Sequence, residues 1–323
     1  MRTTIVVCVS ALLLSCSANE TPGFAPEPDA GGAPHDVGHH AGHDAGAGSD
    51  VLRPVPIRDA GSASRCSEAA QLVYVLSDAN DLYSFRPNLR QFTRIGRLRC
   101  PTTAQPNSMA IDRDAVAWVN YVDNAVFDTG GSLYRVSTAD ASCIAAAPVP
   151  LPAGWFRLGM GFSTASADDT QETLFVTATA DPLRGPSPGL GRIDPQALTG
   201  TPIGPFSGAF RGQSAELTGT GDGRLYGFFT TTPVQVAQID KTSGTILDAR
   251  PLPGVETPQA WAFSFWGGDF YLYTAPSALV GRTTNVTRYR PSDGSIDPAY
   301  MTNIGFRVVG AGVSTCAPIE APP

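Results

Sequence analysis

The sequence predicts an all-β domain over residues 65–323, and two observations carry this prediction. From Leu72 onward, short β runs alternate with Gly, Pro, Asp and Asn, and no helical period is sustained. An apolar–x–x–apolar run followed by a polar turn recurs five times, starting at positions 82, 133, 190, 236 and 286. The intervals of 51, 57, 46 and 50 residues match a four-stranded propeller blade, which takes roughly 40–50 residues. Five blades around a central channel are therefore predicted.

The repeat assigns four strands to each blade, named a to d from the channel outward. The recurring run is strand c, and a strand d follows it, as at Phe92–Leu98 and Ile246–Leu252. Strand b precedes the run and carries an aromatic residue, at Tyr74, Trp118, Phe175, Tyr226 and Tyr271. Strand a is rich in small residues, as expected for the crowded centre of a ring. The predicted a strands are Met109–Asp112, Met160–Ala165, Ala215–Gly219, Trp261–Phe265 and Val308–Ser314.

The two ends of the repeat array predict how the ring closes. The domain opens at a strand b and ends with a lone strand a, Val308–Ser314, which we expect to lie innermost in the first blade. This offset resembles the "Velcro" closure of β-propellers. The resemblance covers about 250 residues, and no WD dipeptide or kelch glycine pair narrows it to one propeller family. The same strand spacing also fits a β-sandwich, which stays open at this point.

The N-terminus has the pattern of an export signal. Residues 1–15 contain a short apolar run and end in Leu13-Leu14-Ser15, which Cys16 follows. This resembles the lipobox of bacterial lipoproteins, which implies cleavage before Cys16 and a lipid on its sulfur. Ser17 is not the aspartate that retains such proteins at the inner membrane, so an outer-membrane anchor is expected, on the periplasmic or the cell-surface side. An ordinary cleaved signal with a chance cysteine is the alternative.

Residues 16–64 are predicted to be the lipid anchor and a disordered linker. Ala, Gly, Pro, Asp and His dominate this segment, which offers almost no side chains for a core. All four histidines, His35, His39, His40 and His43, lie there, either as part of a polar spacer or as weak metal ligands. The domain therefore contains no histidine, which excludes Ser-His-Asp and Cys-His catalysis within it. No cofactor or metal site is predicted, and a net charge of −7 without a basic cluster argues against a nucleic-acid partner.

Four cysteines remain in the domain, and an even count in an oxidising envelope favours two disulfides. Cys66 precedes the first strand b and Cys316 follows the last strand a, so both are expected at the same end of adjacent strands. A bridge between them would hold the ring closed. Pairing of Cys100 with Cys143 follows only by exclusion. The strand scheme places these two at opposite ends of neighbouring outer strands, so their pairing stays open.

The loops predict where a ligand would bind. We call X the face at which the innermost strands begin, and Y the face at which they end. The X loops are long and most Y turns are short, and elaborated loops on a rigid scaffold favour binding. At the X ends of the inner strands lie Arg157, Glu216, Gln259 and Arg307, and Trp155 lies on a neighbouring X loop. Glu216 is either an acid with a raised pKa or the partner of a nearby arginine. Trp155 either stacks on a ligand or packs against a blade.

The domain is therefore expected to be a non-enzymatic binding or scaffold module for a protein or carbohydrate on the X face. No nucleophile and no phosphate-binding loop is evident. The alternative is a carbohydrate-active hydrolase that uses Glu216 and a second carboxylate, which the sequence does not locate.

Overall fold

The computed structural model describes residues 66–123, 130–145, 148–149, 151–180, 185–276 and 283–322. The chain divides into the units Met1–Ala60 and Gly61–Pro323. The expectations for the signal segment, Cys16, the linker and its histidines lie outside the described residues. The described residues form β-strands and three short 3-10 helices, at Ala69–Gln71, Pro87–Leu89 and Gly208–Phe210.

Five antiparallel sheets follow one another along the described chain. The first contains β1 (Val73–Ser77), β2 (Asp81–Arg86) and β3 (Gln91–Arg97). The second contains β4 (Gln105–Ile111), β5 (Val116–Val122) and β6 (Gly131–Ser137). The third contains β7 (Leu158–Thr164), β8 (Glu172–Ala178), β9 (Leu190–Ile193) and β10 (Gly200–Gly204). The fourth contains β11 (Ala215–Gly219), β12 (Leu225–Phe229), β13 (Gln235–Ile239) and β14 (Ile246–Pro251). The fifth contains β15 (Ala260–Trp266), β16 (Asp269–Ala275), β17 (Asn285–Arg290) and β18 (Ser295–Met301), and β19 (Val308–Gly312) returns to the first sheet.

The C-terminal strand closes the ring, as predicted. β19 pairs antiparallel with β1, so that Tyr74 lies opposite Gly312 and Val75 opposite Ala311. The innermost strands β4, β7, β11, β15 and β19 each contact the next one around the ring, and β19 contacts β4. The fold is thus a five-bladed β-propeller, with the order a to d in the first, third, fourth and fifth blades. The β-sandwich interpretation is wrong, because the sheets form a ring of five and do not stack as two.

The second blade departs from the predicted four strands. Within the described residues its sheet has three strands, and two isolated bridges, Val136–Cys143 and Leu133–Val149, take the place of a continuous fourth. The segment after Cys143 carries Pro148, Pro150 and Pro152. Proline has no backbone N–H to donate, so a continuous ladder on this outer edge would be interrupted.

The core consists of five hydrophobic clusters, one for each interface between neighbouring blades. The predicted aromatic residue of each strand b belongs to the cluster shared with the following blade. Tyr74 packs between blades 1 and 2, Trp118 between blades 2 and 3, and Tyr271 between blades 5 and 1. A single blade cannot bury both of its faces by itself. This explains why the aromatic position recurs with the period of the blades.

Both disulfides form between the expected cysteines. Cys66–Cys316 joins the ends of β1 and β19, with a Cα–Cα distance of 5.7 Å. Cys100–Cys143 links the segment after β3 to the outer edge of blade 2, with a Cα–Cα distance of 5.0 Å. The strand scheme placed Cys100 and Cys143 at opposite ends of neighbouring outer strands because it treated each blade as flat. Each strand is rotated by roughly 20–25° from its neighbour, so the outer strands no longer run parallel to the channel.

Candidate functional site

A cavity of about 500 Å³ opens at the X mouth of the channel. It is formed where the five innermost strands begin: β4, β11, β15 and β19 contribute lining residues, and Arg157 directly precedes the fifth strand, β7. Four residues predicted from the sequence line it together: Arg157, Glu216, Gln259 and Arg307. The sequence did not anticipate the others, which are Asp78, Gln105, Pro106, Asn107, Val122, Thr179, Ala260, Trp261 and Val309.

The chain's own C-terminal segment lies against the Y face. A Cβ built on Gly221, in the turn between β11 and β12, would lie 2.8 Å from the carbonyl oxygen of Ala317. In the turn between β15 and β16, the Gly267 N–H donates to the Pro318 carbonyl over 2.7 Å. The segment after β19 therefore crosses the Y turns of blades 4 and 5, and the X mouth is the end at which the described chain leaves a large cavity.

Glu216 is held in β11 with only 5 % of its surface exposed. The Ser108 hydroxyl donates to Oε2 over 2.9 Å, and the Met160 backbone N–H also donates to the carboxyl group. Burial raises the pKa of Glu216 well above its ordinary value, and the two hydrogen bonds offset this only in part. Of the two alternatives for Glu216, the pairing with an arginine is absent among its described contacts. The buried carboxyl group therefore holds its proton to a higher pH than an exposed glutamate does.

Arg157 is held by two asparagines that the sequence analysis overlooked. Its Nη1 donates to Asn107 Oδ1 over 3.2 Å, and the Asn107 amide donates to the Leu158 carbonyl and to Asn120 Oδ1. Asn120 is fully buried, accepts from the Leu158 N–H and donates to the Phe156 carbonyl. The only sequence signal was an asparagine inside an otherwise apolar strand, since every other residue of β5 is apolar. Such a buried amide requires partners, which here fix the loop that carries Arg157.

The remaining candidates differ in their surroundings. Gln259 is exposed at the rim, and its backbone N–H pairs with the Ala275 carbonyl over 3.0 Å. The backbone carbonyl of Arg307 accepts from the Asp78 N–H, while no described acidic group pairs with its guanidinium. The neighbouring Trp261 has a buried indole N–H for which the described structure provides no acceptor.

Trp155 is part of the core and not of the X-mouth cavity. It is 5 % exposed and packs in the cluster between blades 2 and 3. A Cβ on Gly191 of β9 would lie 2.7 Å from Trp155 Cη2, so only a glycine fits beneath the ring. Its exposed edge lines a separate cavity of about 230 Å³, to which Arg157 also contributes. The packing interpretation of Trp155 fits this position better than the stacking one.

A second carboxyl group with a raised pKa, the half-buried Glu172, lies on the Y face at the seam of the ring. Glu172 Oε1 accepts from the Thr315 hydroxyl over 2.6 Å, and Oε2 accepts from the Arg113 N–H over 2.7 Å. Burial raises the pKa of Glu172 to about 7. Arg113 Nη1 donates to the same Thr315 hydroxyl. These contacts connect blades 2 and 3 to the end of the closing strand, so the role they support is structural.

Neither a metal cluster nor a membrane span is found in the described part of the chain. No three His, Cys, Asp or Glu side chains there come together in a way that would hold a metal ion. None of its helices is long and apolar enough to cross a membrane.

Comparison with known proteins finds solved structures of similar fold and no matching protein family. No family profile matches the chain, and no curated protein matches it. Virginiamycin B lyase from Staphylococcus aureus, solved with quinupristin, is 15 % identical, with a TM-score of 0.38 over 71 % of this chain and 70 % of that chain. The calcium-binding protein regucalcin from Agrobacterium tumefaciens is 16 % identical, with a TM-score of 0.41 over 67 % and 68 %. A GH74 xyloglucanase from Xanthomonas campestris is 16 % identical, with a TM-score of 0.40 over 70 % and 35 %. Similarity at this level concerns the fold alone.

Proposed function

We propose that this protein is a lipoprotein of the bacterial outer membrane whose propeller is a non-enzymatic binding module. The lipobox that ends at Cys16 and the linker through residue 64 support the anchored part of the proposal. The cavity at the X mouth supports the binding part. The observation that carries it is the convergence of Arg157, Glu216 and Arg307, from three different blades, on one cavity at the end of the channel opposite the C-terminal segment. Concave sites with a few convergent polar groups are the usual place for small ligands.

Filling the cavity tests the binding proposal. Ala260 lines the cavity, and Ala260→Trp would occupy it with a large side chain. Ala299→Trp places the same side chain on β18, the outermost strand of the same blade, and serves as the matched control. The purified full-length chain should bind a subset of an array of immobilised oligosaccharides, and Ala260→Trp should lose this binding while Ala299→Trp retains it. Unchanged binding by Ala260→Trp, or no binding by the wild type, would contradict the proposal.

Hydrolysis of a glycosidic bond is the second candidate function. The observation that favours it is that Asp78 lines the same cavity as Glu216, which supplies a second carboxyl group. Glycosidases of this kind pair a protonated acid with an ionised carboxylate, and the raised pKa of Glu216 suits the first of these roles.

Chromogenic aryl glycosides separate the two candidates. If the protein is a hydrolase, Glu216→Gln and Asp78→Asn should each lower the rate at least about 100-fold, while the exposed Glu320→Gln should not. If the wild type releases no aryl group from a panel of α- and β-glycosides, the hydrolase is rejected and the binding module stands.

A further inference from the structure

The disulfide that closes the ring, Cys66–Cys316, lies beside a cation. Arg113, in the turn between β4 and β5, donates from Nη2 to the Sγ of Cys66 over 3.5 Å and from Nη1 to the Thr315 hydroxyl over 2.9 Å. The neighbouring carboxyl group of Glu172 accepts from the Arg113 backbone N–H and from Thr315, and its described contacts do not include the guanidinium. A guanidinium stays protonated at every pH at which proteins fold, so a full positive charge adjoins this sulfur.

The disulfide between the outer strands has different surroundings. Cys100 and Cys143 pack against the hydrophobic cluster between blades 1 and 2, and no described arginine nitrogen donates to either sulfur. All four cysteines are half-buried, so exposure does not distinguish the two disulfides. A neighbouring cation favours the thiolate form of a cysteine, whereas apolar surroundings disfavour it. The sulfur of Cys66 is therefore better suited than either outer sulfur to receive the electron pair of a breaking S–S bond.

The seam disulfide also fastens the C-terminal segment that crosses the Y face. Thr315 is bonded to Glu172 at the start of β8, in blade 3. The Pro318 carbonyl accepts from the Gly267 N–H in a turn of blade 5. Cys316 lies between these two contacts, so the bridge ties the middle of the segment to blade 1. After reduction, hydrogen bonds and packing alone would hold the segment, and such peripheral segments open locally before a domain unfolds.

We propose that the seam disulfide is a site of thiol–disulfide exchange with a dithiol, and that its reduction releases the C-terminal segment from the Y face. The partner is identified by its chemistry, which is a pair of neighbouring thiols that can form a disulfide with each other. The exchange site lies at the opposite end of the channel from the X-mouth cavity and does not depend on what that cavity binds.

The cation determines which of the two sulfurs leaves. A thiolate of the dithiol attacks the Sγ of Cys316 and forms an S–S bond with it, while the bond to Cys66 breaks and its electron pair stays on Cys66 beside Arg113. The second thiol of the dithiol loses its proton, attacks the mixed disulfide and expels the Cys316 thiolate. Two electrons thus pass from the dithiol, which becomes a disulfide, and its two protons reach the two cysteine sulfurs through solvent.

Reduction of the full-length chain in detergent by dithiothreitol tests the exchange site. Samples are quenched with an alkylating agent, and mass spectrometry of peptides gives a rate constant for each disulfide. The seam disulfide should be reduced first, and the ratio of its rate constant to that of the outer disulfide is the informative quantity. Arg113→Gln should lower this ratio about threefold, the effect of a tenfold loss in leaving-thiolate stability at a Brønsted slope near 0.5. Arg113→Lys restores a cation and should recover part of the ratio.

Two further measurements on the wild type need no variant. Reduced glutathione, a monothiol, should be found mainly on Cys316, with Cys66 as the free thiol. Hydrogen exchange follows the C-terminal segment, because the Gly267 amide donates to the Pro318 carbonyl. This amide should exchange at least about tenfold faster after reduction, while the amides of β12 stay protected.

The matched control is Arg250→Gln, which removes an exposed arginine of β14 that pairs with Asp248 and should leave the ratio unchanged. Thermal unfolding shows whether each variant has folded. If Arg113→Gln does not fold, the two rates and the glutathione adduct of the wild type decide. Slower reduction of the seam disulfide, a ratio that Arg113→Gln leaves unchanged, or glutathione mainly on Cys66 would overturn the exchange site. Unchanged exchange at Gly267, or equal acceleration throughout β12, would overturn the release of the segment.

Discussion

The buried Glu216 and the half-buried Glu172 show how one physical cause has different consequences at the two faces of the ring. Glu216 at the X mouth and Glu172 on the Y face both have a raised pKa because burial disfavours the carboxylate. Glu216 lines an open cavity, where its carboxyl group can interact with a ligand. Glu172 instead accepts hydrogen bonds from Arg113 and Thr315 across the seam of the ring.

The pKa of Glu172 makes stability depend on pH. Between about pH 4.5 and pH 7 the unfolded chain has already released this proton while the folded chain retains it, so the free energy of unfolding falls as pH rises. The stabilisation is fully present below pH 4.5 and is lost as pH rises through 7, and it amounts to about 3 kcal/mol at most. Glu216 contributes with the same sign, so we expect Glu172→Gln to flatten this pH dependence and not to abolish it.

Denaturant unfolding from pH 4.5 to pH 8 measures this effect. The informative quantity is the difference in unfolding free energy between wild type and Glu172→Gln at each pH. It should shift in favour of the variant as pH rises, whereas Glu256→Gln, at an exposed position, should give a constant difference. A constant difference for Glu172→Gln as well would mean that the side chain has an ordinary pKa.

At the scale of the strand, the small residues of the inner strands have a steric explanation. A Cβ built on Gly219 of β11 would lie 1.8 Å from the Phe162 carbonyl oxygen of β7, and one on Gly159 would lie 2.0 Å from the Ala215 carbonyl oxygen. The sequence predicted strands of small residues at the centre. Which positions require glycine depends on distances between neighbouring blades, which no local pattern contains.

Gly219→Ala should therefore be strongly destabilising. The clash is with backbone, which cannot rotate away as a side chain can, so we expect a loss of at least about 2 kcal/mol in unfolding free energy. Gly130→Ala is the matched control, because a Cβ there would meet nothing within 4 Å. Chemical denaturation compares the two variants, and equal losses would contradict the tight contact between β7 and β11.

The seam disulfide should contribute more than the disulfide between outer strands. Cys66 and Cys316 are 250 residues apart in sequence, and Cys100 and Cys143 are 43 apart. In the chain-entropy treatment the longer loop contributes about 5 kcal/mol and the shorter loop about 4 kcal/mol. Without this bridge the closure rests on the pairing of β1 with β19 and on contacts such as Ser314 to Ala70.

Replacing each pair by serines measures this contribution. The double variant Cys66→Ser/Cys316→Ser should lower the melting temperature by several degrees, since about 1 kcal/mol shifts a domain of this size by roughly 2–4 °C. The double variant Cys100→Ser/Cys143→Ser should lower it less. The reverse order would mean that strand pairing alone holds the ring closed.

At the scale of the whole molecule, the period and the offset of the strands predicted the number of blades and their closure. Each blade needs its neighbours to bury the aromatic residue of its strand b, so a repeat of this period predicts a ring of adjacent blades. The site was only partly predictable. The position at the X ends of the inner strands predicted four lining residues: Arg157, Glu216, Gln259 and Arg307. It did not predict Asp78, which lies in a turn of blade 1, or Asn107, whose role depends on its hydrogen bond to Arg157. The pairing of Cys100 with Cys143 depends on blade twist, which strand counting omits.

The lipid anchor is tested by one substitution. Cys16→Ala should abolish lipidation, because the thioether forms on this sulfur in proteins with a lipobox. The variant should leave the detergent phase for the aqueous phase when the two are separated, and its mass should lack acyl chains. The control is Cys8→Ala, which changes a cysteine inside the apolar run. A variant at Cys16 that still partitions like the wild type would contradict the lipobox interpretation.

The role of the X mouth as the ligand site is tested most directly by locating bound probe molecules crystallographically. Crystals of the protein would be soaked in separate experiments with glucuronate, glucose and acetate. Electron density for the probes should appear in the cavity lined by Arg157, Glu216 and Arg307. Density confined to the Y-face cavity beside Glu172 or to the cavity beside Trp155, with the X mouth empty, would contradict a binding module that works through the X mouth.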